Sequence, residues 1–140
     1  MITTLSMHSK ASLLIAAMSI ALITSGCSNN KSTSASPQSI QLSHSNLGNI
    51  YTDNAGMTLY TFKKDKLNVS NCNNGCAVKW PPLLATSNTK GNGRFSVITR
   101  ADNSKQWALN GQPLYRWFKD KKPGDTTGHG IKSVWHVAKP

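Results

Sequence analysis

The sequence predicts an all-β protein, a small antiparallel sandwich or barrel-like domain built from two pseudo-repeats sharing one core. Three observations carry that expectation. First, a ten-residue phrase occurs twice, as Gly56-Met57-Thr58-Leu59-Tyr60-Thr61-Phe62-Lys63-Lys64-Asp65 and as Gly111-Gln112-Pro113-Leu114-Tyr115-Arg116-Trp117-Phe118-Lys119-Asp120, with matched positions 55 residues apart. Second, turn signals place both copies in hairpins. Third, strand formers (Thr, Val, Ile, Tyr, Trp) are well represented, Glu is absent, and no segment has the period of an amphipathic helix.

In chain order, Ile50-Tyr51-Thr52 and Thr58-Leu59-Tyr60-Thr61-Phe62 flank Asp53-Asn54-Ala55-Gly56, a tight-turn sequence, and so read as a first hairpin. Gln106 to Leu109 and Leu114 to Trp117 flank Asn110-Gly111, the strongest short hairpin signal. Side-chain alternation puts Tyr60 and Phe62 on one face of their strand with Leu59 and Thr61 on the other. It likewise sets Tyr115 and Trp117 against Leu114 and Arg116. Apolar bulk on both faces marks a core strand. Further strands are expected at Phe95–Thr99 and Ser133–Val137. Fifteen residues past each motif aspartate stands a tryptophan, Trp80 and Trp135. Trp80 leads into Pro81-Pro82, which ends any strand there. Each half is too small to hold a core alone, so the repeats, about 47–82 and 95–137, are expected to share one.

The N-terminal region has a different composition. Lys10 precedes an apolar run from Ala11 to Ile23, shorter than the roughly 20 residues a permanent span needs and suited to a signal peptide. Thr24-Ser25-Gly26-Cys27 follows, and here the chain resembles a bacterial lipoprotein precursor. That resemblance implies cleavage after residue 26 and lipid, such as palmitate, on Cys27. Ser28 favours the outer membrane, facing the periplasm or the surface, if the envelope is Gram-negative. Residues 27–39, rich in Ser and Asn, read as the lipidated cysteine and a flexible tether, leaving 40–140 as the two-repeat β domain.

With Cys27 assigned to lipid, Cys72 and Cys76 form a pair that an oxidising envelope would close into a disulfide. Redox or metal use is the competing reading, although the C-x-x-x-C spacing is not that of a thioredoxin-like motif. The paired aspartates Asp65 and Asp120 each sit between lysines, which favours the ionised form and suits a turn cap better than a general acid. His44, His129 and His136 show no zinc spacing. His129, His136 and Met57 are weak metal or haem candidates, and no cofactor is predicted. Nucleophile elbows, phosphate loops and dinucleotide fingerprints are missing, so no catalytic residue is predicted.

The repeated Tyr-x-[Phe/Trp]-x-x-Asp phrase (Tyr60, Phe62, Asp65; Tyr115, Trp117, Asp120), the Cys72–Cys76 segment and Trp80-Pro81-Pro82-Leu83 together resemble the secreted-repeat lipoprotein family of unknown function. The resemblance covers Leu47 to Val137. Cys72 and Cys76 have no counterpart in the second copy. The family implies a location and a fold, and leaves the activity open.

The charge balance bears on partners. Sixteen Lys and Arg face five Asp, a formal net charge of +11, which draws anions. The expected protein is therefore a non-enzymatic envelope lipoprotein, a binding or structural module held to the membrane through Cys27. Its expected partner is an anionic envelope component or a protein. A metal- or haem-linked redox accessory is the alternative. Export leaves no place for an intracellular nucleic-acid target.

Overall fold

The computed structural model describes residues 40–140; the expected signal segment (1–26) and the lipid site and tether (27–39) lie outside the described residues. The described part is mostly short antiparallel strands with one short helix. Strands β1 (Gln41–Ser45) and β2 (Gly48–Thr52) form a hairpin with Gln41 opposite Thr52. The first copy of the phrase then supplies β3 (Tyr60–Phe62). Its partner is the last strand of the chain, β8 (Trp135–Val137), with Phe62 opposite Trp135. Between them, β6 (Lys105–Leu109) pairs on one side with β5 (Phe95–Thr99) and on the other with the two-residue strands β4 (Leu84–Ala85) and β7 (Gln112–Pro113).

The β6–β7 turn is the one its Asn-Gly sequence predicts: Asn110 and Gly111 both take positive φ, 49° and 77°. The first hairpin closes differently, with Gly56 N–H donating to Asp53 O and Asp53 N–H to Met57 O. Its loop is one residue longer, so matched positions before it are 56 apart and those after it 55. Tyr51 N–H donates to Ala138 O and Ala138 N–H to Leu59 O; in the other repeat Trp107 N–H donates to Leu83 O and Leu83 N–H to Leu114 O. The repeat is thus a repeat of hydrogen bonds as well as of letters.

Two expected strands are shorter than the sequence suggests. Lys132 and Ser133 take φ of 51° and 57° within a tight 3-10 turn (Ile131–Ser133), so the last strand starts only at Trp135. Leu114–Trp117 forms no ladder beyond isolated bridges of Tyr115 to Tyr60 and to Pro82. The reason lies in its partner. Where β3 faces His136 and Val137, the second copy faces Pro81 and Pro82, which accept but cannot donate: Arg116 N–H reaches Pro81 O and nothing returns.

The repeats meet back to back along the phrase itself. Tyr60 N–H donates to Tyr115 O (2.8 Å) and Tyr115 N–H to Tyr60 O (3.0 Å), a reciprocal pair with a local two-fold between the residues. Leu59, Tyr60, Leu114 and Tyr115 are all fully buried. Alternation sends the tyrosines to a core with Ile50, Cys72, Trp80, Trp135 and Val137. The leucines enter a second core with Tyr51, Leu83, Trp107, Leu109 and Ala138. Each fully buried leucine is worth about 1.5–3 kcal/mol, and both cores draw on both repeats.

The helix α1 (Gly75–Lys79) is a single turn, entered through Asn74 at φ 49°. Cys72 and Cys76 are joined as a disulfide across that entry. The cross-link fixes the short segment that carries Lys79 and Trp80 into position.

Candidate site: a groove over the junction of the repeats

Strand alternation and the 55-residue register bring four aromatic rings into one column. Phe62 stacks on Trp135 (centroids 4.2 Å, planes 14° apart), Trp135 on Trp80 (3.7 Å, 3°), and Trp80 on Trp117 (4.1 Å, 30°). The local two-fold passes between the two inner indoles, which are related residues of the two repeats. Tyr60 meets Trp80 edge-on at 5.4 Å, and Tyr115 meets Trp135 in the same way at 5.2 Å. Such contacts add about 0.5–1.5 kcal/mol each beyond the area they bury.

The motif aspartates complete this arrangement by crossing over. The Tyr60 hydroxyl donates to Asp120 Oδ2 (2.6 Å), and the Tyr115 hydroxyl donates to Asp65 Oδ2 (2.7 Å). Each tyrosine is therefore tied to the aspartate of the other copy. Asp120 also accepts the backbone N–H and the hydroxyl of Thr127, and Asp65 accepts the backbone N–H of Asn71. Neither carboxylate bonds the other, and neither lines the groove described below.

Burial sets the electrostatics of this clasp. It pushes the Asp65 carboxyl above the usual carboxylate range, against the opposing pull of Asn71 N–H, the Tyr115 phenol and the Arg100 charge. The flanking Lys64 and Lys66 are exposed, so burial outweighs the neighbouring charge on which the sequence expectation relied. Both phenols are driven far above the ordinary tyrosine value, first by burial; the carboxylate each one donates to raises it further. The sign of the resulting linkage is definite. A phenol with a raised folded pKa contributes its full stability below about pH 10, and that contribution is lost as pH rises above it, because only the unfolded chain ionises there. Two of the three tyrosines are thus expected to stay protonated until the protein unfolds. In a titration followed at 295 nm, their ionisation should coincide with loss of the near-ultraviolet circular dichroism. Ionisation of all three before unfolding would contradict the clasp.

A buried arginine that belongs to no motif supports the Tyr115 side. Arg100 donates through Nη1 to Ser70 Oγ (2.8 Å) and Gln106 Oε1 (2.6 Å), and through Nη2 to Cys72 O (2.8 Å) and Asn73 Oδ1 (3.1 Å). Ser70 in turn lies 2.8 Å from the Tyr115 hydroxyl, so an unbroken chain of polar contacts runs from Arg100 to Asp65. On the Tyr60 side the same position is filled by backbone: Gly128 N–H donates to the Tyr60 hydroxyl at 3.2 Å. A Cβ on Gly128 would lie 2.9 Å from both Tyr60 and Trp80 ring atoms. Gly128→Ala is accordingly expected to destabilise by about 1–3 kcal/mol through overpacking, read as a lowered midpoint in urea at unchanged m.

Above the ring column lies a groove of about 470 Å³. It contains both members of several related pairs: Phe62 with Trp117, Trp80 with Trp135, Cys76 with Ile131, and Lys79 with Val134. The groove therefore straddles the local two-fold and exists only where the two copies meet. Lys64 and Lys132 complete its polar lining. Phe62 and Trp117 are half-buried, whereas Tyr60 and Tyr115 are wholly enclosed.

The remaining sequence candidates lie elsewhere. His129 and His136 face each other with ring centroids 5.4 Å apart. His129 Nδ1 accepts Val137 N–H (3.2 Å), and burial, then the positive charges of His136 and Lys139, lower its pKa. Met57 sits in the β2–β3 loop, its N–H donating to Asp53 Oδ1. His44 lies in β1 beside Asn49. Among the described residues no three His, Cys, Asp or Glu side chains come together as a metal-binding group.

A family model described as a secreted repeat of unknown function matches residues 42–84 and again residues 96–139, together more than half of the chain. The chain belongs to this secreted-repeat family. The two matched segments each hold one copy of the phrase and its tryptophan, so the family unit is the half-structure related by the local two-fold. Secreted-repeat membership gives an extracellular or envelope location. No curated protein and no solved structure matches the chain.

Proposed function

We propose that this secreted-repeat protein is a non-enzymatic binding module of the cell envelope, anchored by lipid on Cys27, in the outer membrane of a Gram-negative host, and working through the groove at the repeat junction. The observation that carries the reading is the groove itself, with lysines and aromatic rings drawn from both copies over the column that joins them. The residues most suggestive of catalysis, Asp65 and Asp120, support it from the other side: their oxygens are taken up by tyrosine phenols and backbone N–H groups. A column of stacked rings is a stiff support, and a preorganised surface loses little entropy on binding.

Titration calorimetry of the protein against purified acidic envelope glycans and lipopolysaccharide at low salt tests the reading. Binding that weakens about tenfold or more (1.4 kcal/mol) in Trp117→Ala is the expected result; heats that stay at the dilution level for every ligand would sink it. The anchor has its own test. Metabolic palmitate should label the wild-type protein and fail to label Cys27→Ser.

A redox accessory role is the second reading, favoured by Cys76 lining the same groove as the ring column and by the His129–His136 pair. Protein isolated from its own envelope with bound metal or a haem absorption band would establish it. Colourless, metal-free protein whose disulfide resists envelope-range potentials would dismiss it.

A further inference from the structure

The composition of the groove narrows what it can hold, given the proposed binding role, on which this inference rests. Trp80 has its two faces covered by Trp117 and Trp135, and Trp135 has its faces covered by Trp80 and Phe62. What the inner indoles can offer a ligand is therefore their edges. Ring edges are the positive part of the aromatic quadrupole, so the floor attracts negative charge. It offers no open inner face on which a neutral sugar could stack.

The lysines point the same way. Lys64, Lys79 and Lys132 are exposed, no aspartate joins them in the lining, and the salt bridges among the described residues involve other cations. The neighbouring hollow beside α1 differs: its one cation, Arg100, already has Asp102 at 3.8 Å and four neutral acceptors on its two terminal nitrogens. The rest of the ring-column groove is apolar, with Ile131 and Val134 beside Phe62 and Trp117. Its volume falls within the range of about 300–1,000 Å³ typical of small-molecule sites.

We infer that the groove at the repeat junction takes an organic anion, a phosphate or carboxylate group carried on a small apolar body. The acid lies among Lys64, Lys79 and Lys132 while the body lies against Ile131, Val134 and the ring edges. The same chemistry occurs in soluble phosphate esters and in anionic lipid headgroups.

Intrinsic fluorescence of the full chain tests this, because Trp80, Trp117 and Trp135 belong to the column while Trp107 is buried in the other core. Four probes are needed: phenyl phosphate, neutral benzyl alcohol, inorganic phosphate, and phosphatidate-containing vesicles against neutral vesicles. Phenyl phosphate is expected to saturate a spectral change, with the neutral and inorganic probes at least about tenfold weaker. Each of Lys64→Gln, Lys79→Gln and Lys132→Gln should weaken it about two- to fivefold, as expected for exposed charges. All three lysines are exposed, so circular dichroism of the triple variant should match wild type, and lost binding with an intact fold supports the assignment. Vesicle binding in place of phenyl phosphate binding would identify the acid as a lipid headgroup.

Benzyl alcohol binding as tightly as phenyl phosphate would overturn the anion and leave the binding groove standing. Inorganic phosphate matching phenyl phosphate would reduce the site to surface charge and overturn the inference. Silence from every probe would overturn the inference, while the binding role itself falls only with silent calorimetry against the acidic glycans and lipopolysaccharide.

Discussion

Trp80→Ala is expected to cost about 3–5 kcal/mol, the usual penalty for truncating a large buried aromatic. Trp80 is 4% exposed and touches Trp117, Trp135 and Tyr60 at once. Its loss opens a cavity at the local two-fold and removes stacking from both neighbours. Against a total stability of about 5–15 kcal/mol, that is a large share, and the thermal midpoint should fall by some tens of degrees for a domain of this size. Phe118→Ala, at an exposed ring that meets Trp117 edge-on at 4.7 Å without entering the stack, is the control and should cost no more than about 0.5–1.5 kcal/mol. Equal effects of the two would mean that the column does not join the halves.

The second large effect is a coupling. Tyr60→Phe leaves Asp120 without one of its two hydroxyl donors at 2.6 Å, the other being Thr127, and Asp120→Asn weakens the acceptor. A double-mutant cycle between them, by urea denaturation, should return about 1.5–3 kcal/mol of interaction, as hydrogen bonds to charged groups do. The cycle between Tyr60 and Asp65, partners within one copy of the phrase, should return close to zero. Reversed values would show that each repeat closes on itself, and the crossed clasp would be wrong.

Much of this was legible beforehand, and what was not has identifiable causes. The 55-residue register, the Asn110-Gly111 turn and the burial of both Leu-Tyr pairs followed from local rules of alternation and turn geometry. The crossing of Tyr60 to Asp120 did not. Tyrosine and aspartate stand five positions apart in each copy, and sequence spacing alone cannot distinguish a bond within a copy from one between copies. Nor could it reveal Arg100, whose partners come from segments up to 30 residues away. The missing ladder at Leu114–Trp117 was readable in principle, since Pro81 and Pro82 lack donors, but only once they were known to be its neighbours. Lys132 and Ser133 gave no sign of their positive φ, as neither residue type favours it.

The reciprocal clasp also has a temporal consequence. Its two hydroxyl–carboxylate bonds link positions 60 and 50 residues apart, and β3 waits for the last strand of the chain before it has a partner. Loop closure must therefore be completed before most of the stabilising contacts can form, which slows folding. During synthesis and export the first copy emerges with its aromatic face uncovered and an unpaired edge. Such a face invites pairing with the same half of another molecule. A chain that closes on its own second copy removes that hazard, which gives the duplication a role in escaping aggregation as well as in building a site.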